Sequence, residues 1–143
     1  MLIGEYRHTI DTKKRMALPA RFRKELGTEV VITTGLDNCL AVYPLKEWEA
    51  ISDKLGKLPE GQIEARGYAR IRLSGAMAVE LDQLGRILIP ENLKKYASLN
   101  KNVVICGLSN KLEIWDAARW DVYKTKTEKE VGDLASKLKE LGI

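Results

Sequence analysis

The chain has 143 residues, with 24 Lys and Arg against 20 Asp and Glu, a net charge of +4, two cysteines and one histidine. That length suits one compact domain or two closely joined halves, and apolar runs of only a few residues fall far short of the ~20 that cross a bilayer. Cys39, Cys106 and His8 cannot make up the about four N or S ligands of a structural zinc, and no charged-then-apolar leader opens the chain, so the expectation is a cytoplasmic protein with free thiols, no signal peptide and no metal.

Residues 4–10 (GEYRHTI) alternate as a strand does, and polar residues at 11–15 predict a turn. RMALP (15–19) reads as a short strand. Pro19 then opens a helix that runs to about Leu26 and stops at Gly27. The β-branched run 29–34, the hairpin residues Gly35, Leu36, Asp37 and Asn38, and the run 39–43 predict two antiparallel strands. Leu45, Trp48, Ile51, Leu55 and Leu58 recur at spacings of three or four and predict a helix, broken at 58–61. A second helix is expected over 62–73 and a strand over 76–81.

The next segment repeats the first. At an offset of 71 (Asp11 to Asp82), Arg15 matches Arg86, Leu18 matches Ile89, Pro19 matches Pro90, Phe22 matches Leu93 and Lys24 matches Lys95. After a one-residue slip, 30–48 answers 103–120, with Gly-Leu-x-Asn and a closing Trp in both. Such a repeat means two copies of one supersecondary unit, neither able to bury its apolar face alone. The tail, residues 116–141, carries Trp120, Tyr123, Thr127, Val131, Leu134, Leu138 and Leu141 at heptad-like spacing and predicts one long helix, weakened by Gly132.

Charge follows the repeat. Residues 1–24 hold Arg7, Lys13, Lys14, Arg15, Arg21, Arg23 and Lys24 against Glu5 and Asp11. Residues 82–101 hold Arg86, Lys94, Lys95 and Lys101 against Asp82 and Glu91. A basic patch gathered on one motif suits a polyanion partner, although a plain solvated face has the same composition. The shared pattern is Asp-x-x-x-Arg, a short strand, a proline and a lysine-bearing helix. Asp11 and Asp82 can brace their turns by pairing with Arg15 and Arg86, or can orient those arginines for reading guanine or phosphate. The two roles are compatible.

The residues alone lead to a basic, duplicated α+β module that binds an anion or nucleic acid. No Gly-rich phosphate loop, GxSxG, HExxH or Cys/His pair is present, so neither an enzyme nor a cofactor is expected. The aromatics sit at apolar spacings, which speaks for a core and against an RNA-stacking platform. A purely architectural oligomer would account for the tail but not for the basic first repeat.

The paired Asp-x-x-x-Arg turns and Gly-Leu-x-Asn hairpins resemble those of the MraZ family of bacterial transcriptional regulators, over the whole chain. The resemblance implies an α+β fold of two tandem AbrB-like half-units forming an interleaved split β-barrel, with a central helical pair and a long C-terminal helix. It divides the chain into a first repeat (1–48), a helical connection (49–75), a second repeat (76–121) and the helix (122–143). It implies a ring-forming homo-oligomer associated with the nucleoid. Such an oligomer would bind repeated elements in double-stranded DNA upstream of its own operon for division and cell-wall synthesis, mainly as a repressor. Arg15 and Arg86 would read DNA, oriented by Asp11 and Asp82, with Arg7, Lys13, Lys14, Arg21, Arg23 and Lys24 in support. One departure stands out. The family usually has Gly before the first motif arginine; this chain has Lys14 there, while Gly85 keeps the pattern. Either the first turn avoids positive φ or Lys14 tolerates it, and the first half is expected to dominate binding.

Overall fold

A computed structural model describes residues 1–143. Strand β1 (Leu2–Thr9) leads through a turn to β2 (Arg15–Ala17); a 3-10 turn (Ala20–Phe22) runs into the short α1 (Arg23–Leu26), and β3 (Glu29–Thr34) and β4 (Leu40–Pro44) form a hairpin. Helices α2 (Leu45–Gly56) and α3 (Ile63–Ser74) lead to the second round: β5 (Met77–Glu80), β6 (Arg86–Leu88), α4 (Glu91–Tyr96), β7 (Asn102–Ser109) and β8 (Leu112–Asp116). Helices α5 (Ala117–Glu130) and α6 (Ala135–Glu140) end the chain. Pro19, Pro44 and Pro90 each stand just before a helical segment, with ψ of 133°, 145° and 141°. A missing N–H costs nothing there and the fixed φ helps entry. Gly27, at φ +73°, stops α1.

The strand pairing interleaves the halves. The larger sheet has the order β1-β7-β8-β4-β3-β5, and β2 pairs with β6 in a separate two-stranded ribbon. Strand β1 pairs along its length with β7 of the other half, Leu2 opposite Ser109 and Thr9 opposite Asn102. In return β5 pairs with β3, Val30 opposite Val79. Each half therefore supplies the outer strand of the other's hairpin, and an approximate dyad passes between β4 and β8. Of the expected fold, the α+β class is present, with strands exchanged between the halves, and a closed barrel is not. By hydrogen bonding the larger sheet is open, with β1 and β5 at its edges.

One cluster of 19 buried residues fills the space between the sheet and the ribbon. It draws on both repeats at matching positions: Met16 with Ile87, Leu18 with Ile89, Phe22 with Leu93, Val30 with Val103, and Ile32 with Ile105. The opposite face of the sheet is covered by α2 and α3 over the first half and by α5 over the second. There Trp115 meets Trp120 and Tyr123 at centroid distances of 5.3 and 4.8 Å, above buried Cys39, Val104 and Cys106. Burial raises both thiol pKa values, Cys106 to about 12, so the thiols are held neutral.

The tail differs from the single long helix its pattern predicts. Helix α5 ends at Glu130, residues 131–134 form turns around Gly132, and α6 is a separate short helix with no buried residue. Val131 and Leu141 are 53% and 74% exposed. With no surface to pack against, intrinsic propensity decides, and Gly132 and Asp133 are poor helix formers.

Candidate nucleic-acid interface

The two Asp-x-x-x-Arg segments fold into matching turns. In the first, Asp11 Oδ1 accepts the backbone N–H groups of Lys13 and Arg15, both at 2.9 Å, and its Oδ2 accepts Arg15 Nε at 2.9 Å. In the second, Asp82 Oδ1 accepts Leu84 and Arg86 N–H at 2.9 and 2.8 Å, and Oδ2 accepts Arg86 Nε at 2.7 Å. The backbone closes each loop twice, from Lys14 N–H to Asp11 C=O and from Asp11 N–H to Arg15 C=O, with the same pair at Gly85, Asp82 and Arg86. Short Asp is the residue for this task, because its carboxylate reaches N–H groups two and four positions on. Hydrogen bonds from the backbone of the following arginine, then from its side chain, hold both carboxyls below the usual range. They stay ionised and cannot shuttle protons near neutrality.

The β2–β6 ribbon joins the two turns. Met16 lies opposite Ile87, and both point into the core. Alternation then puts Arg15, Ala17, Arg86 and Leu88 on the outward face. Arg15 is opposite Leu88 and Ala17 opposite Arg86, so the two arginines are diagonal neighbours, about 7–8 Å apart at Cα for an antiparallel ladder. Their side chains are 32% and 29% exposed. Each uses Nε on its aspartate, and the terminal Nη groups make no hydrogen bond within the chain. Two forked donors are thus presented side by side, held by the shaft and free at the tip. Leu18 N–H donates to Gly85 C=O at 2.9 Å and Ile89 N–H to Lys14 C=O at 2.8 Å, so each turn is also tied to the other half.

The first turn does adopt left-handed geometry. Lys14 has φ +62° beside +74° for Gly85. Its ammonium pairs with Glu91 Oε2 at 2.5 Å, at the start of α4 in the other half. This ion pair links the unusual residue to the opposite repeat.

The family model "MraZ protein, putative antitoxin-like" matches residues 1–71 and again 73–139. The chain belongs to the MraZ family. Its curated relatives include the "Transcriptional regulator MraZ" of Moorella thermoacetica and of Desulfitobacterium hafniense, each 49% identical over 143 residues, and that of Natranaerobius thermophilus at 46%. All three alignments cover the whole of both chains. The solution structure of PHS018 from Pyrococcus horikoshii aligns with 80% of this chain and 88% of its own at 12% identity and a TM-score of 0.34, too distant to bear on the fold. MraZ proteins are regulators of transcription and not enzymes, as the missing catalytic motifs suggested. No helix of this MraZ chain is long and apolar enough to cross a membrane.

The remaining basic residues do not form one patch. Lys13 and Lys14 stand exposed on the first turn, and Lys24 is exposed on α1. Arg21 is exposed but donates Nη1 to the Tyr6 hydroxyl at 2.6 Å. Arg23 is half-buried, with Nη2 on Leu18 C=O at 3.2 Å. Arg7 lies on the other face of the sheet, its Nη2 2.6 Å from Asp121 on α5. Beside it, Glu5 accepts Trp120 Nε1 and Lys124 Nζ. Sequence order placed Arg7 near the motif; strand alternation turns it away. From the sequence Glu91 counted only as a charge against the second basic run, and its pairing with Lys14 was missed. Its signal was a lone acid at Pro90-Glu91, where the first repeat has Pro19-Ala20.

Proposed function

We propose that this MraZ protein is a sequence-specific DNA-binding repressor that regulates its own division and cell-wall operon. It inserts the β2–β6 ribbon into the major groove, with Arg15 and Arg86 reading bases. One observation carries the reading: two arginines share the outward face of a narrow ribbon, each anchored through Nε and each offering free Nη donors. The groove, about 12 Å wide, admits a two-stranded ribbon, and guanine O6 and N7 match a guanidinium fork. Lys13, Lys14, Arg21 and Lys24 add phosphate attraction, strongest around the first half. The relatives' name, transcriptional regulator, supports the same reading. The two repeats act as one interleaved swapped-hairpin unit, the α2–α3 pair as connection and the residues from 122 as an appended helical arm. Several copies in a ring would engage direct repeats through effective concentration.

The test is fluorescence anisotropy at about 0.15 M salt, with a duplex from upstream of the protein's own gene and a shuffled control. Tight binding to the first duplex, lost in Arg15→Ala and Arg86→Ala, is the expected result. Equal weak binding to both duplexes would refute base readout.

A further inference from the structure

The two reading turns are not held alike. A Cβ built on Gly85 would overlap Nε and Cζ of Arg23. Arg23 belongs to α1 of the first half, and Gly85 precedes the reading arginine of the second. The guanidinium therefore lies against the Gly85 α-carbon, in space that any side chain there would claim. Its Nη2 donates to Leu18 C=O, while Leu18 N–H donates to Gly85 C=O. Arg23 thus grips both sides of the link between the first half's backbone and the second half's turn. The position has a cost: Arg23 Nε is buried with no hydrogen-bond partner, a penalty proteins rarely accept without a return.

The first turn has no such wedge. Lys14 carries a Cβ where Gly85 has none, and the residue equivalent to Arg23 (23 plus 71) is Lys94. The exposed Lys14–Glu91 ion pair does the corresponding work.

We propose that Arg23 is a positioning residue for base reading by Arg86, a brace from one half onto the other's turn, and not a phosphate contact. The inference rests on the DNA-reading function proposed above and deepens it. A phosphate contact and a brace leave different signatures. Removing a phosphate contact weakens binding to all sequences and lowers the slope of log K against log salt by about 0.9. Removing a brace spoils the aim of Arg86, which lowers the preference for operator over shuffled duplex and leaves the slope alone.

Binding of the full chain to both duplexes, titrated over a salt series, separates the two, with Lys24→Ala as the phosphate-type control. Arg23→Ala should lose at least about fivefold of the operator preference at an unchanged slope. A fall in the slope, or an unchanged preference, overturns the proposal. Thermal unfolding supplies a second test that needs no DNA. Gly85→Ala should lower Tm in the wild type, through its positive φ and the displaced guanidinium together, and less in the Arg23→Ala background, where only the positive φ remains. Equal effects in both backgrounds overturn the wedge. A wild type that shows no operator preference removes the functional reading itself, and the proposal with it. Preference in the wild type with none lost in Arg23→Ala removes only the proposal.

Discussion

Replacing Arg86 by lysine separates charge from geometry. In the structure Arg86 Nε is 2.7 Å from Asp82 Oδ2 and the Nη pair makes no hydrogen bond within the chain; under the proposed function that pair meets DNA. Lysine has a single nitrogen. It can pair with Asp82 or reach a base, but it cannot do both, and it offers no fork to O6 and N7. A bidentate contact is worth about 1–3 kcal/mol of base discrimination, which at 1.4 kcal/mol per decade is about 5- to 150-fold. Arg86→Lys should therefore lose operator preference almost as fully as Arg86→Ala, while the salt slope and the binding to shuffled DNA stay close to wild type, because the positive charge remains. Anisotropy against both duplexes over a salt series measures all three quantities. If Arg86→Lys kept its operator preference, the division of labour between Nε and the Nη tips would be wrong, and Arg86 would act as a point charge.

Three further outcomes are expected. Phe22 is fully buried and meets Tyr6 edge-on at a centroid distance of 5.2 Å, so Phe22→Ala should cost about 3–5 kcal/mol in urea unfolding; a loss under 1 kcal/mol would mean that the shared core is not as described. Burial, then the charge of Arg23, lowers the His8 pKa, so the unfolded chain binds its proton first as pH falls, and stability drops from about pH 6.5 toward the lower folded value; His8→Gln should flatten that limb, and an unchanged profile would count against a desolvated histidine. Deleting residues 131–143, none of them buried, should change folding stability by no more than about 0.5 kcal/mol, and a larger loss would show that the tail packs.

Much of the site was legible because duplication is visible in the residues themselves. The spacing of Asp11 to Arg15 and Asp82 to Arg86 marked both turns, and the proline and β-branched signals located the strands that follow them. What stayed hidden was long-range. Nothing in the local pattern of residues 2–9 says that β1 pairs with β7 and not within its own half; that follows from the joint burial of two apolar faces. Arg7 looked like part of the basic cluster because it is near in sequence, yet one step of strand alternation puts it beneath α5 with Asp121. Arg23 looked like one more positive charge; its place against Gly85 depends on the other half of the chain. The tail misled because heptad spacing describes what a helix could pack against, and α6 has no such surface.

The interleaved halves also give the molecule a direction. Two identical half-units with exchanged strands would carry a true dyad, and a dyadic reader matches operators that are palindromic. In this chain the dyad is broken at the two Asp-x-x-x-Arg turns themselves: Lys14 faces outward with an ion pair where Gly85 receives a guanidinium. The two copies differ at these positions while sharing one core. The ribbon consequently has a head and a tail. Under the proposed function, such a ribbon can meet each of a series of elements in the same orientation, which is the geometry that head-to-tail operator repeats require.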